Sequence, residues 1–347
     1  MNFIIDWLPM DLNTFWFLLV GVLLTGYAIL DGFDLGVGIL HLFTKSDTNR
    51  RILLNSIGPV WDGNEVWLVV GGGALYGGFP VVFSSVFSGF YLIFILLITF
   101  LLFRAVALEF RSKQPMTWWR NFWDVTFSLS SALAAFFIGL VLGNIAQGIP
   151  LNEKGYYTGG FFDIFTPFPL MVGLTTIALF AMHGSLYVAI KTEGELQEQS
   201  KSWAIHASAL FILGYFLITM WTLLFIPNLT DHVREQGLSL FVVLLSVLAI
   251  ANIPRSLFYN QYRIAFLSSC ISIFFLMILF GLGMYPDLVF SNPNPALSLD
   301  IYNAASSQNA LSIMSTIALI GFPLVLFYTV TVYWIFRGKV KLDEHSY

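Results

Sequence analysis

The chain has 347 residues, of which 57% are hydrophobic and 10% are charged, and its mean hydropathy is +0.79. This composition is too apolar for a soluble protein, which must cover its core with a wettable surface. The net charge of −4 says little about a chain that lies mostly in lipid. We therefore expect an integral membrane protein that contacts membrane lipid and does not bind nucleic acid.

Apolar stretches long enough to cross a bilayer follow one another along almost the whole sequence. A bilayer core about 30 Å thick needs roughly 20 apolar residues per helical span. Continuous apolar runs indicate helices, because the strands of a membrane barrel alternate between apolar and polar residues. The nine predicted spans are residues 14–41, 53–79, 81–103, 122–148, 164–190, 203–226, 238–254, 263–284 and 309–336. The prediction is an all-α integral membrane protein of about nine transmembrane helices, with residues 1–347 as a single transmembrane domain.

Basic residues predict the orientation of the chain, since Lys and Arg in short loops favour the cytoplasmic side. Of the 16 such residues, 14 follow an odd-numbered span, and only Lys154 and Arg234 follow an even-numbered one. This partition predicts an N-terminus outside and a cytoplasmic C-terminus. The first 13 residues contain no Lys or Arg, so we expect the first span to be retained rather than cleaved as a signal peptide.

Four acidic side chains lie within the first two predicted spans. Each ionisable side chain in a span costs roughly 2.5 to 3.5 kcal/mol, so it needs a partner, a cavity or a function. Asp31 and Asp34 are three residues apart on one helix face, as are Asp62 and Glu65. Antiparallel packing would place both pairs at one depth. They predict a proton path from the cytoplasm; alternatively, they only cap broken helix segments or accept hydrogen bonds from Asn64 and nearby tryptophans.

Few other side chains suggest chemistry. Arg104 closes the third predicted span, where it either anchors the helix at the interface or faces one of the acids. A haem iron in a helix bundle usually takes His, or His with Met, from facing helices. Only His183 lies well inside a predicted span, so we expect no bis-histidine site, and a hydrogen-bonded core role competes with iron ligation for it. Cys270 is the single cysteine. We therefore predict no metal site and no catalytic centre in this chain.

A long run from Arg50 to Leu68, RRILLNSIGPVWDGNEVWL, resembles the signature of subunit II of bacterial cytochrome bd-type quinol oxidases. Further segments that resemble the same family are Asp31–Gly38, Phe87–Tyr91, Trp119–Asp124, Gly143–Pro150, Tyr157–Gly159, Thr192–Leu196 and Ala305–Gln308. The resemblance extends over the whole chain. It implies two four-helix bundles plus one peripheral helix in the bacterial cytoplasmic (inner) membrane.

The resemblance also implies a function. The family's complex is a heterodimeric respiratory oxidase that oxidises quinol, reduces dioxygen to water and generates a proton gradient, and we expect the same of the complex that contains this chain. Haems b and d would all be ligated by subunit I, and this chain would be the non-haem-ligating partner. The resemblance also suggests a structural quinone in this chain and a small single-helix third subunit in the complex. By the same resemblance, Asp62 leads protons from the cytoplasm, and Trp67 with Arg104 lies near a dioxygen route. Depth and spacing add Asp31, Asp34 and Glu65 to the proton path.

Two other functions fit the same composition. In a proton-coupled secondary transporter, the acids near mid-depth would bind a coupling ion. In an assembly scaffold, they would have no proton role. An oxidase subunit should co-purify with a haem-bearing partner, whereas a transporter need not, so purification from native membranes separates the two classes.

Overall fold

The computed structural model describes residues 10–235, 237 and 239–342. The twelve α-helices among them are α1 (Leu12–His41), α2 (Asp47–Ile57), α3 (Trp61–Gly78), α4 (Pro80–Gly89), α5 (Tyr91–Phe110), α6 (Thr117–Gln147), α7 (Pro167–Lys191), α8 (Gly194–Phe225), α9 (Pro227–Glu235), α10 (Ser239–Phe258), α11 (Tyr262–Met284) and α12 (Gln308–Ile335). Two short strands, β1 (Asp287–Val289) and β2 (Leu299–Asp300), pair antiparallel. Helices therefore dominate the described chain, as predicted.

Eight of the described helices are long and apolar enough to cross a membrane, namely α1, α5, α6, α7, α8, α10, α11 and α12. Helices α3 and α4 together pass the same test, although they are bent by 120° relative to each other. The bend lies at Phe79, directly before Pro80, which starts α4 because proline is favoured at the first helical position. The predicted count of about nine spans is confirmed.

The helices pack in two groups of four. Helices α1, α3, α5 and α6 form one bundle, and α7, α8, α10 and α11 form the second. The bundles join where α7 packs against α1 and α6, and α12 lies at the periphery against α1 and α3. This arrangement confirms the two four-helix bundles and the peripheral helix. It also places α3, which carries two of the predicted acids, directly beside α1.

Helices α1 and α7 pack backbone against backbone at two glycines. A Cβ atom added to Gly36 would overlap with the carbonyl oxygen of Phe180 and would lie 2.8 Å from the backbone nitrogen of Gly184. A Cβ atom on Gly184 would in turn lie 2.5 Å from Gly36. Small residues at a membrane helix crossing allow backbones to approach in this way. The crossing therefore fixes the two bundles relative to each other.

The second predicted span is wrong in its first part. The predicted helix over residues 53–79 is interrupted, because α2 ends at Ile57 and α3 begins at Trp61. Pro59 lies in this interruption, and proline lacks the backbone N–H group that would continue the hydrogen bonding of α2. Asp62 consequently lies in the first turn of α3, not near the middle of a continuous helix.

The third predicted span also differs from the structure. Residues 81–103 are divided between α4 and α5, which meet at Phe90. Helix α5 continues to Phe110, beyond the predicted end. Arg104 therefore lies inside α5, and the prediction that it closes the span at the interface is wrong. The prolonged helix carries its guanidinium into the bundle.

The start of α1 is fixed by polar contacts. The Asp11 carboxylate accepts a hydrogen bond from the Thr14 backbone N–H at 3.0 Å, and this bond holds the pKa of Asp11 below its usual value. The buried Asn13 amide donates to the Ile301 carbonyl at 2.5 Å and accepts from Gln308 at 2.6 Å. The segment between α11 and α12 is thereby tied to the first helix.

Candidate functional site

One fully buried ion pair lies between α1 and α5. Arg104 and Asp31 both have side chains that are 0% exposed. The guanidinium Nη2 donates to Asp31 Oδ1 at 2.6 Å, and Nη1 donates to Asp31 Oδ2 at 2.9 Å. Two parallel charge-assisted bonds fix both orientation and distance. The prediction that Arg104 faces one of the acids is the alternative that the structure confirms.

Glu65 of α3 is the second acid at Arg104. The guanidinium Nη1 donates to Glu65 Oε1 at 3.1 Å, and the Glu65 side chain is 24% exposed. One nitrogen of Arg104 thus contacts a carboxylate oxygen of Glu65 and one of Asp31. The guanidinium therefore links an acid of α1 to an acid of α3.

Asp34 is joined to the same region through Asn64. The Asn64 amide donates to Asp34 Oδ2 at 2.7 Å and to the Leu30 carbonyl at 3.1 Å, and it accepts from the Tyr333 hydroxyl at 3.0 Å. Asp34 is 0% exposed, and its Oδ1 has no hydrogen-bond partner among the described residues. We call Asp31, Asp34, Asn64, Glu65 and Arg104 the acid network.

Asp62 lies outside this network. Its side chain is exposed on α3 and makes no hydrogen bond or ion pair with any residue that the structure describes. Val66 and Val69, one and two turns further along, are exposed on the same face at 46% and 73%. Three of the four acids predicted to lie at one depth, Asp31, Asp34 and Glu65, belong to the acid network, and Asp62 does not; their role in a proton path stays a prediction. Asp62 instead lies next to Glu65 on an otherwise apolar surface.

Trp67 is buried beside the acid network. Its ring is 6% exposed and packs on Gly26, where a Cβ atom would overlap with it. Phe322 of α12 contacts it edge to face at a centroid distance of 6.1 Å, and Tyr27 belongs to the same apolar cluster. The surroundings of Trp67 are therefore apolar and aromatic.

His183 is fully satisfied by hydrogen bonds within the chain. Its Nδ1 lies 2.7 Å from Ser269 Oγ, and its Nε2 lies 2.9 Å from the Ile29 carbonyl oxygen. The ring stacks on Phe266 at 4.8 Å with an interplanar angle of 6°. Both nitrogens are thus occupied, and the hydrogen-bonded core role describes this residue. Among the described residues, no group of three His, Cys, Asp or Glu side chains is arranged to hold a metal ion.

A second buried polar cluster was not predicted from the sequence. Asp124 of α6 is 0% exposed and accepts from His41 Nε2 at 2.5 Å, Arg50 Nη1 at 2.8 Å and Arg111 Nε at 2.5 Å. Arg111 also contacts Asp47 at 2.7 Å. These contacts join the end of α1, the start of α2 and the α5–α6 connection. We call them the Asp124 cluster.

A sequence signal for this cluster was present. Asp124 lies inside the predicted span over residues 122–148, and it ends the Trp119–Asp124 segment that resembles the family pattern. The four acids of the first two predicted spans are therefore not all the acids that the helices bury. The partners of Asp124 come from separate elements. Contacts between separate elements have no fixed spacing in the sequence.

Comparison with known proteins identifies the family. The family model described as "Cytochrome bd terminal oxidase subunit II" matches residues 12–336. The "Cytochrome bd-I ubiquinol oxidase subunit 2" of Escherichia coli (strain K12) is 34% identical over 96% of each chain. The "Cytochrome bd ubiquinol oxidase subunit 2" of Bacillus subtilis (strain 168) is 29% identical over 96% of this chain and 98% of its own.

A solved structure shares the fold. The bd oxidase structure from Geobacillus thermodenitrificans contains a chain that matches 94% of this chain and 97% of its own with a TM-score of 0.76, at 18% identity. The helical architecture is thus that of a known membrane protein. The chain belongs to the family of cytochrome bd terminal oxidase subunit II, a multi-pass protein of the bacterial inner membrane that pairs with a subunit I.

Proposed function

We propose that this chain conducts protons through the acid network toward the haem-bearing subunit I of a quinol oxidase. In that complex, quinol is oxidised, dioxygen is reduced to water and a proton gradient is generated. The observation that supports this most strongly is the Asp31–Arg104–Glu65 contact within an apolar bundle. Subunit II would act as a non-haem-ligating part of a quinol:oxygen oxidoreductase.

Charge balance supports a proton role for the network. Three carboxyl groups, those of Asp31, Asp34 and Glu65, surround the single guanidinium of Arg104. An uncompensated charge in the membrane interior is costly. The network therefore approaches neutrality only when carboxyl groups hold protons, and a group of acids that shares protons can pass them on. Arg104 acts as a positioning residue that fixes Asp31 and Glu65.

Asp62 is the proposed contact point with subunit I. An exposed carboxylate on an apolar helix face in a membrane needs a polar partner, and in this chain its neighbours Val66 and Val69 are exposed too. A complementary surface of subunit I would supply that partner. Glu65, three residues away and partly exposed, would exchange protons between Asp62 and the interior of the bundle.

The dioxygen route is proposed to pass Trp67. Its apolar aromatic surroundings suit an uncharged diatomic molecule. Arg104 makes three hydrogen bonds to acids, so we assign it to the proton network rather than to this route.

A structural quinone has a candidate position between α1, α7 and α8. The groove there has a volume of about 570 Å³ and is lined mainly by apolar side chains, including Leu174, Leu213 and Leu217. Trp203 and His206 also line it and could contact a quinone ring. The small single-helix third subunit stays a proposal from family resemblance alone.

Neutral substitutions of the two outer acids test the proton role. In the purified complex, we expect Asp62→Asn and Glu65→Gln to lower quinol oxidase turnover about tenfold or more, because a relay step loses its titrating group. Oxygen consumption measures turnover, and a haem spectrum verifies assembly. Glu195→Gln, an exposed acid at the start of α8, is the matched control. Full turnover with intact charge translocation in both variants would support an assembly scaffold instead.

Replacement of His183 tests its structural role. We expect His183→Gln to leave the haem content and the reduced-minus-oxidised spectrum of the complex unchanged, because both ring nitrogens bind groups of this chain. Glutamine keeps an amide that can donate to the Ile29 carbonyl. Loss of one haem per complex would show that this histidine ligates iron.

A further inference from the structure

A cavity with both polar and apolar lining lies at the ends of three helices of the second bundle. It has a volume of about 380 Å³ and is lined by the last residues of α7, the first turns of α8 and α11, the α10–α11 turn and the segment after α12. Its polar lining includes Gln197, Asn260, Arg263 and Lys339. The groove of about 570 Å³ has no Lys or Arg in its lining, whereas this cavity has Arg263 and Lys339.

Two basic side chains, Arg263 and Lys339, line the cavity, and Lys201 reaches its edge through Asn260. Arg263 is exposed and makes no hydrogen bond or ion pair with any described residue. Lys339 donates to the Thr192 carbonyl at 2.6 Å, and Lys201 donates to Asn260 Oδ1 at 2.5 Å, so both ammonium groups contact only neutral oxygens. The acid Glu198 lies against the Tyr262 hydroxyl. The salt bridges of the described chain leave Arg263 and Lys339 uncompensated.

Exposed apolar side chains flank this charge. Phe258 and Tyr259, at the end of α10, are 78% and 60% exposed, and Ile264, in the first turn of α11, is 46% exposed. The cavity lies at the end of the bundle that the Lys and Arg partition predicts to be cytoplasmic. The basic side chains of the cavity complement an anionic phospholipid headgroup, and the exposed apolar side chains beside it complement the acyl chains.

We propose that this cavity binds an anionic phospholipid, with its phosphate at Arg263 and Lys339 and its acyl chains along Phe258 and Ile264. Charge complementarity favours this occupant, since basic pockets between transmembrane helices on the cytoplasmic side suit anionic headgroups. The unpaired guanidinium of Arg263 presents a planar fork that matches phosphate oxygens. The bound lipid would fasten the segment after α12 to the second bundle. This proposal is independent of the proton role of the acid network.

Lipid binding to the delipidated, detergent-purified complex tests the site. Native mass spectrometry would compare phosphatidylglycerol with phosphatidylcholine of identical acyl chains. We expect preferential binding of phosphatidylglycerol, and Arg263→Gln should weaken it about fivefold, the effect of one basic group near an anionic surface. Arg263→Lys should retain most of the affinity. Arg255→Gln is the matched control, because Arg255 bonds Asn252 and does not line the cavity.

Three outcomes would overturn the proposal. Equal binding of the two lipids would show that charge does not select the occupant. Equal lipid affinity of wild type and Arg263→Gln would place the lipid elsewhere. Arg263→Lys shows whether the complex tolerates a substitution at this position. Competition by inorganic phosphate at millimolar concentration would identify a phosphate site instead of a lipid site.

Discussion

Replacement of Arg104 by Gln is expected to destabilise the protein by about 3 to 5 kcal/mol, because breaking a buried ion pair leaves the remaining charge without a partner. Asp31 is 0% exposed and takes its two strong hydrogen bonds from this one guanidinium. The measurement is the free energy of unfolding of the purified complex in mixed detergent, together with the yield of assembled subunit. We expect both to fall sharply.

A double-mutant cycle separates the ion pair from other effects of the substitution. Adding Asp31→Asn to Arg104→Gln removes the unpaired carboxylate, so the double variant should be more stable than Arg104→Gln alone. Arg104→Lys, which keeps the charge but loses the two-pronged contact, should lie between Arg104→Gln and wild type. A double variant that is no more stable than Arg104→Gln would contradict the ion-pair explanation.

Replacement of Gly36 by Val is expected to be similarly damaging, for a steric reason. The added side chain would overlap with the Phe180 carbonyl oxygen and approach the Gly184 nitrogen, and backbone atoms of α7 cannot move aside as a side chain can. Overpacking costs about 1 to 3 kcal/mol and occasionally more, and a backbone clash between two bundles belongs at the upper end. The thermal unfolding midpoint and the recovery of the complex would both decrease.

The same helix provides a control for Gly36. Gly21 also lies in α1, and an added Cβ atom there would contact nothing within 4 Å. Gly21→Val should therefore leave the unfolding midpoint close to that of wild type. Equal losses for the two variants would show that a general intolerance of Val in α1 causes the damage, and that the crossing with α7 does not.

Most of the fold follows from span length and hydropathy, because the bilayer fixes how many apolar residues a helix needs. The predicted span over residues 263–284 agrees within one residue with α11 (Tyr262–Met284). The failures lie at residues 53–79 and 81–103, where breaks at Pro59 and Phe90 divide apolar runs. A hydropathy pattern does not register the break at Phe90, because α4 and α5 are both apolar, and near Pro59 the predicted span included the end of the more polar helix α2.

The site could be predicted in part. Helical spacing and antiparallel packing predict one depth for four acids, and the structure joins Asp31, Asp34 and Glu65 but leaves Asp62 outside the network. The sequence leaves open whether Arg104 anchors the helix at the interface or faces an acid, because the answer depends on how far α5 continues. The Asp124 cluster was missed because its partners come from elements that only the folded chain brings together.

The most direct test of the proton role is time-resolved charge translocation by the complex in liposomes. The fully reduced complex is mixed with dioxygen, and the growth of membrane potential is followed for wild type, Asp62→Asn and Glu195→Gln. We predict that Asp62→Asn slows the proton-coupled phase at least about tenfold while the preceding electron transfer keeps its wild-type rate. A proton-coupled phase of wild-type rate and amplitude in Asp62→Asn would contradict a proton path through this chain.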